Sequence, residues 1–330
     1  MKVTASPPID SSFAKDSAGF RRELLAHCYR MVGSAHDAED LVQETYVRAW
    51  RSYASFEGRA SLRSWLYKIA TNVCLTALAS GRARVLPSGL TGPRQGPDLQ
   101  PGDIAPGEVS WLEPIPDAWT AAPANDPAAA TIARESLRLA LVASLQVLPP
   151  RQRAIFLLRE VLAFSADETA DVLGASVAAV KSGLQRARAR VGALAPEPDQ
   201  LLEPTDPRAR ELLDGYIAAF ERSDAGLLIE VLRTDASLES TPFRDWVVGR
   251  ANCLRLLDTY VLGRPGTWRM VATLANGQPA AGVFRRDPGG VLRADGVVVL
   301  TPTATGVSRV VAFHDPSLVA LFDLPETLPG

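Results

Sequence analysis

Between residues 181 and 190 the 330-residue chain carries Lys181, Ser182, Gln185, Arg186, Arg188 and Arg190 on the outward side of one helical stretch, with Val180 and Leu184 on the inward side. Four of the six are cationic and no carboxylate interrupts them, so this face can neutralise phosphates and offer donors to base edges. Other chemistry finds less material. His27, His36 and His314 are the only histidines and Cys28, Cys74 and Cys253 the only cysteines, too scattered for a disulfide framework, a Cys-x-x-Cys metal site or a His-based triad. The cysteines read as buried packing residues. Groups that could line a small pocket come late in the chain: Asp258, His314 and Asp315 as acid or base, with Tyr216, Trp246 and Tyr260 as walls. They make no recognisable constellation, so no catalytic residue, metal or cofactor is expected.

The basic stretch needs an element to present it. Ser165-Ala-Asp-Glu168 is a capping box for a short helix that runs to Leu173 and stops at Gly174, and Ser176 then caps a second helix reaching about Val191. Two helices joined by a three-residue turn containing Gly form a helix-turn-helix, whose second helix enters the major groove. Two packed helices with a solvated basic face are the plainer alternative. Gly183, a poor helix former in this helix, is either a point of close approach to DNA or drift.

An earlier block is also helical. Phe20, Leu24, Leu25, Cys28 and Val32 recur at helical spacing until Gly33 and Ser34 break the run. From Asp37 to Tyr53 an apolar face opposes Asp37, Asp40, Gln43 and Glu44, and a third helix opens at Ser61 with Leu62, Leu66, Ile69, Val73 and Ala77 as its stripe. Residues 86–130 hold nine Pro and five Gly without apolar periodicity and read as an extended linker between separately folding pieces. Inside it, Trp111-Leu-Glu-Pro-Ile-Pro-Asp-Ala-Trp119 is too apolar for a free spacer. Trp111, Leu112, Pro114, Pro116 and Asp117 form either a segment hugging its own domains or a dedicated latch. After Pro204 a helix over about 208–221 precedes β-rich runs at 269–274, 280–286, 297–301 and 307–313, with Asn276-Gly277 and Pro288-Gly289-Gly290 as turns. Helix followed by antiparallel sheet predicts an α+β domain.

A net charge of −2 conceals unlike parts. Residues 14–85 carry eleven basic and seven acidic side chains and residues 146–195 seven and four, whereas the linker and the stretch from 196 onward are each net −5. The expected architecture is multidomain: helical domains at 14–85 and 131–195, an acidic linker at 86–130, and an α+β domain at 205–330. No stretch is apolar enough to span a bilayer and the first residues lack a signal peptide's core, so a cytoplasmic location is expected.

The motifs resemble a known family. Asp37-Ala-Glu-Asp-Leu-Val-Gln-Glu44 and Ser61-Leu-Arg-Ser-Trp-Leu-Tyr-Lys-Ile-Ala-Thr-Asn72 resemble region 2 of the extracytoplasmic-function (ECF) sigma factors of bacterial RNA polymerase. Leu148-Pro-Pro-Arg-Gln-Arg153 and Val180-Lys-Ser-Gly-Leu-Gln-Arg-Ala-Arg188 resemble region 4. Thr241-Pro-Phe-Arg-Asp-Trp246, Ala275-Asn-Gly-Gln-Pro279 and Phe313-His-Asp-Pro316 resemble the cone-shaped SnoaL-like domain of the SigG and SigJ types, and the linker motif is closer to the SigG-like form. The resemblance implies that Asp37, Asp40, Gln43 and Glu44 bind the β′ clamp helices of the polymerase core, which also offers its β subunit. It implies that Phe56, Glu57, Arg59 and Ser61 help form a pocket for an extruded −10 base, that Arg63, Tyr67, Lys68 and Asn72 meet bases and phosphates, and that Arg82 and Arg84 meet phosphate. Trp65 is open to two readings, base stacking or core. Lys181, Ser182, Gln185 and Arg186 would read the −35 element in the major groove, with Arg188 and Arg190 nearer the backbone. In such sigma factors the linker threads toward the polymerase active centre, and its acidity suits an RNA channel.

The implied protein is a non-enzymatic promoter-specificity subunit, monomeric when free and regulated in cis by its SnoaL-like domain, with no separate anti-sigma protein. The alternative is a ligand-responsive helix-turn-helix regulator or a SnoaL-like enzyme with a DNA-binding appendage. Asp287-Pro-Gly-Gly290 only partly matches the Gly-rich acidic motif of the SigJ-like group.

Overall fold

The structure, a computed structural model, describes residues 11–58, 60–81, 83–96, 99–120, 134–194 and 201–329. The chain forms two compact units, one comprising Met1–Gly81, Trp119–Ala133 and Ser144–Leu194, the other Arg82–Ala118, Arg134–Ala143 and Ala195–Gly330.

The first unit is helical. Helix α1 (Ser11–Ser17) precedes α2 (Arg21–Val32), α3 (Ala35–Ser52) and α4 (Leu62–Ser80). Local chemistry sets their ends. Gly33 closes α2 at φ 73°, a left-handed conformation that a side chain disfavours. Ser34 accepts from the Asp37 N–H at 3.0 Å to cap α3, and Ser61 accepts from the Ser64 N–H at 3.0 Å to cap α4. The facing stripes bury Leu24, Leu25 and Cys28 of α2, Ala38 and Val42 of α3, and Leu66 and Val73 of α4.

The chain re-enters this unit at Ser144, within α5 (Leu139–Gln146), and continues through α6 (Pro150–Phe156), which ends in one π-type turn to Val161. Helices α7 (Ala166–Leu173) and α8 (Val177–Leu194) form the expected helix-turn-helix, with Gly174 between them at φ 55°. A Cβ at Gly183 would stand 2.6 Å from Ile155 Cδ1, so this glycine lets α8 lie close to α6. That packing role replaces both readings made from the sequence.

The second unit is built on a mixed sheet in the order β2-β1-β6-β5-β4-β3, with β7 paired to β5. Its strands are β1 (Leu232–Thr241), β2 (Trp246–Val248), β3 (Trp268–Ala275), β4 (Gln278–Arg286), β5 (Leu292–Thr303), β6 (Gly306–Phe313) and β7 (Thr327–Leu328). The expected purely antiparallel sheet needs one correction: β1 and β6 run parallel, with Leu238 opposite Val310. Helix α9 (Pro207–Arg222) buries Leu212, Leu213, Tyr216 and Phe220 in a core shared with Met270, Val283, Val298 and Val310. Helix α10 (Arg250–Leu256) adds Cys253 to the same core, and α11 (Pro316–Leu321) follows β6. All three cysteines are free and buried.

The linker also departs from expectation. Its described part up to Ala118 is built into the second unit rather than standing between domains: Arg94 and Val247 form a parallel bridge, Ile104 and Phe243 an antiparallel one, and Leu99 belongs to the sheet's core. Among the described residues no helix is long and apolar enough to cross a membrane, and no cluster of His, Cys, Asp or Glu could hold a metal ion.

Candidate nucleic-acid interface and linker cradle

Asp37, Asp40, Gln43 and Glu44 are all exposed on α3, three of them acidic. Glu44 pairs with Arg48 at 2.7 Å, an exposed i,i+4 pair of a few tenths of a kcal/mol, about 0.3–0.5, that a partner's Arg can displace.

The residues matched to −10 reading divide into two sets. Glu57, Ser61, Lys68 and Asn72 are exposed, and Asn72 Nδ2 donates to the Lys68 carbonyl one turn back at 2.8 Å. Phe56 is half-buried in an aromatic cluster, its centroid 4.9 Å from Trp65 and 6.3 Å from Tyr53, so Trp65 packs on neighbouring rings. Tyr67 is fully buried, where a base-contacting residue was expected. Its ring lies 5.4 Å from Phe164, its hydroxyl donates to Glu23 at 3.0 Å, and burial pushes that hydroxyl's pKa up. Arg63 stacks over both Tyr67 and Phe164 and pairs with Glu23 at 3.0 Å. Phe164 enters from the turn before α7, and α7 packs on α4. In this arrangement two of the residues assigned to DNA instead join the helix-turn-helix to α4. Arg59 and Arg82 lie outside the described residues. Arg84 was matched to phosphate, but it donates to the Trp111 carbonyl at 3.0 Å and lies 3.6 Å from Glu113, so it holds the linker.

On α8, Lys181, Ser182, Gln185, Arg186, Arg188 and Arg190 are all exposed. Arg188 pairs with Glu160 at 2.8 Å, and Ser182 Oγ donates to the Ala179 carbonyl at 3.2 Å. Among the described residues Lys181, Gln185, Arg186 and Arg190 have no protein partner. The capping box beneath them is complete: the Glu168 N–H donates to Ser165 Oγ at 3.1 Å and the Ser165 N–H to Glu168 Oε2 at 2.7 Å, which holds the Glu168 carboxyl below its ordinary pKa.

Beneath α4 lies His27, fully buried, with Nε2 3.0 Å from Thr71 Oγ1 and Nδ1 without a partner among the described residues. Burial, then Arg30 and Arg63, push its pKa down to about 3. The ring is therefore neutral in the fold and titrates near 6.5 when unfolded. The unfolded state takes up the proton first, so stability present above pH 6.5 falls as pH drops toward 3, by about 2 kcal/mol at pH 5. His27→Gln should flatten urea-unfolding stability between pH 7 and 5. An unchanged slope would assign the acid sensitivity elsewhere.

The linker segment finds its partner on the β3–β4 hairpin. Asn276 and Gly277 both have positive φ, 59° and 66°, as the two-residue Asn-Gly turn requires. Asn276 Oδ1 accepts from the Ile115 N–H at 3.0 Å, its own N–H donates to the Ile115 carbonyl at 3.0 Å, and its Nδ2 donates to the Leu137 carbonyl at 2.7 Å. Asp117 accepts from the Gly277 N–H at 2.7 Å while burial pushes its carboxyl pKa up. Leu112, Pro114, Ile115 and Pro116 are buried, and Trp111 is half-buried. At the other end of the linker, Glu239, 1% exposed, pairs with Arg309 at 2.5 Å and accepts from the Ser88 N–H at 2.9 Å. No sequence signal marks that pair, whereas the Asn-Gly hairpin was legible as a turn though not as a clasp.

The pocket residues also divide. Trp246, Tyr260 and His314 line a cavity of about 380 Å³. Tyr216 is buried in the core beside Phe220, Asp258 lies outside the cavity lining, and Asp315 caps α11 by accepting from the Ser317 N–H. Tyr216 lies on the face of α9 that packs into the core.

A capped helix-turn-helix with a cationic face, a helix with exposed acids and a linker clasped by a sheet domain are the architecture of a multidomain DNA-binding protein. Family models of sigma-70 region 2 and sigma-70 region 4 match residues 18–84 and 138–191. The ECF RNA polymerase sigma factor SigG of Mycobacterium tuberculosis is 48% identical over 319 residues, covering 96% of this chain and 85% of that protein. SigJ of the same organism is 32% identical over 218 residues, 66% of this chain and 61% of its own. The crystal structure of M. tuberculosis SigJ superposes with a TM-score of 0.61 at 23% identity, covering 94% of this chain and all of that one, and so shares the fold. The chain belongs to the ECF RNA polymerase sigma factors, the subunits that give polymerase its promoter specificity.

Proposed function

We propose that α3 binds the core polymerase through Asp37, Asp40, Gln43 and Glu44, that α4 and the preceding loop meet the −10 element, that α8 reads the −35 element, and that the C-terminal domain restrains the whole in cis by holding the linker. The clasp of Asn276, Gly277 and Asp117 on residues 111–117 carries this reading. A linker bound along the sheet domain is not free to extend into a polymerase channel, so engagement must break these hydrogen bonds. Each is worth about 1 kcal/mol net, which makes the hold reversible. The nucleotide chemistry belongs to the polymerase, and no catalytic role is assigned to this chain.

Two tests follow. Asp40→Ala with Glu44→Ala should weaken core binding about tenfold in a titration of labelled protein against core, since two charge-assisted contacts are lost. Unchanged affinity would remove α3 from the interface. Asn276→Ala should speed chymotryptic cleavage at Trp111 in the full chain, and equal cleavage rates would show that Asn276 does not hold the linker.

A further inference from the structure

The cavity in the second unit has an aromatic wall made by Phe243, Trp246, Tyr260 and Trp268. Both indole N–H groups are engaged elsewhere, Trp246 donating to the Thr91 carbonyl at 2.8 Å and Trp268 to the Val261 carbonyl at 2.9 Å. What the indoles leave for a ligand is apolar ring surface. The charges at the rim are unequal in their partners. Asp245 has Arg94 at 3.4 Å and Asp295 has His314 Nδ1 at 2.8 Å, whereas Arg285 has no ion-pair or hydrogen-bond partner among the described residues. Its guanidinium carbon lies 5.5 Å from the Trp268 ring centroid, held there by cation–π attraction across the β3–β4 pair. A planar fork fixed beside an aromatic slot matches a carboxylate attached to an aromatic ring.

The linker completes the site. Arg94, Gln100, Pro101 and Gly102 form one side of the cavity. They are fixed by the Arg94 N–H to Trp246 carbonyl bond at 2.8 Å and by Arg255 donating to the Gly96 carbonyl at 2.6 Å. Gly102 lies so close to Asp245 that a Cβ there would come within 2.8 Å of the Asp245 Cβ.

We propose that this cavity binds a small aromatic carboxylate, its rings against Trp246 and Trp268, its carboxylate on Arg285, and the docked linker as the fourth side. Such a ligand binds more tightly while the linker is docked, so by linkage it favours the docked state by up to the ratio of its affinities for the two states. On the reading that the docked linker is the restrained state, the ligand represses transcription.

The probe is 2-naphthoate, titrated calorimetrically into the full chain, with 2-naphthamide as its neutral isostere. The carboxylate should bind at least about tenfold more tightly than the amide, a preference that Arg285→Gln abolishes. Gly102→Val, which lifts the linker from Asp245, should weaken 2-naphthoate about tenfold through lost wall contacts. No binding of 2-naphthoate at roughly millimolar concentration, equal affinity for the two probes, or binding indifferent to both substitutions overturns the site. Binding with the expected pattern alongside unchanged core-dependent transcription upholds the site and overturns only the repressive reading of the docked linker.

Discussion

Replacing Lys181 and Arg186 together with Ala is expected to cut transcription from a promoter with a −35 element about a hundredfold while leaving core binding intact. Each side chain is exposed and lacks a partner among the described residues, so the substitutions cost the fold little and their effect falls on DNA. A base-edge contact contributes about 1–3 kcal/mol of discrimination, and two such contacts together reach a factor of about a hundred. Arg188→Ala should do less, because Arg188 already shares its charge with Glu160. Normal transcription by the double variant would remove α8 as the recognition helix.

The second large effect is expected at Arg153, which is 2% exposed. It donates to Gln146 Oε1 at 2.6 Å, to the Gln146 carbonyl at 2.9 Å, to the Leu148 carbonyl at 3.2 Å and to the Met31 carbonyl at the end of α2. Burial lowers its pKa to about 10, still high enough to keep it charged at neutral pH. Arg153→Leu keeps much of the volume but leaves several buried carbonyls without donors, at about 1–3 kcal/mol each before relaxation. The expected loss is about 3–5 kcal/mol, or roughly 10 °C in the melting temperature of the first unit. A melting temperature within about 2 °C of wild type would show that these carbonyls find other donors.

Arg153 also shows what could be read from the sequence. Its motif placed it within the second helical block, but its burial depends on Met31, a contact that no local pattern encodes. Tyr67 failed for the same reason: the α4 motif marks it for DNA, while Phe164, from a distant turn, covers it. Features set within a few residues were legible, including the break at Gly33 and Ser34, the cap at Ser61, the Ser165–Glu168 box and the Asn276-Gly277 turn. The apolar linker segment announced that it must dock. Finding that the Asn-Gly hairpin receives it required the fold, because the clasp uses backbone groups at both ends. Tyr216 and Asp258 were assigned to the pocket by residue type alone, and Arg285 was missed because its value lies in lacking an ion-pair partner among the described residues. The parallel β1–β6 pair likewise escaped, since strand patterns carry no partner order.

The restraint reading rests on the linker, and truncating the chain near Pro204 would test it badly because residues 83–118 would lose the sheet they pack on. Point substitution avoids this. Core polymerase should be combined with the full-length protein or its Asn276→Ala variant on one promoter, with the run-off transcript quantified at equal sigma concentration. Several-fold more transcript is expected from Asn276→Ala, about fivefold for the one clasp hydrogen bond that its side chain makes to the linker. Equal or lower output, with core and promoter binding unchanged, would contradict it.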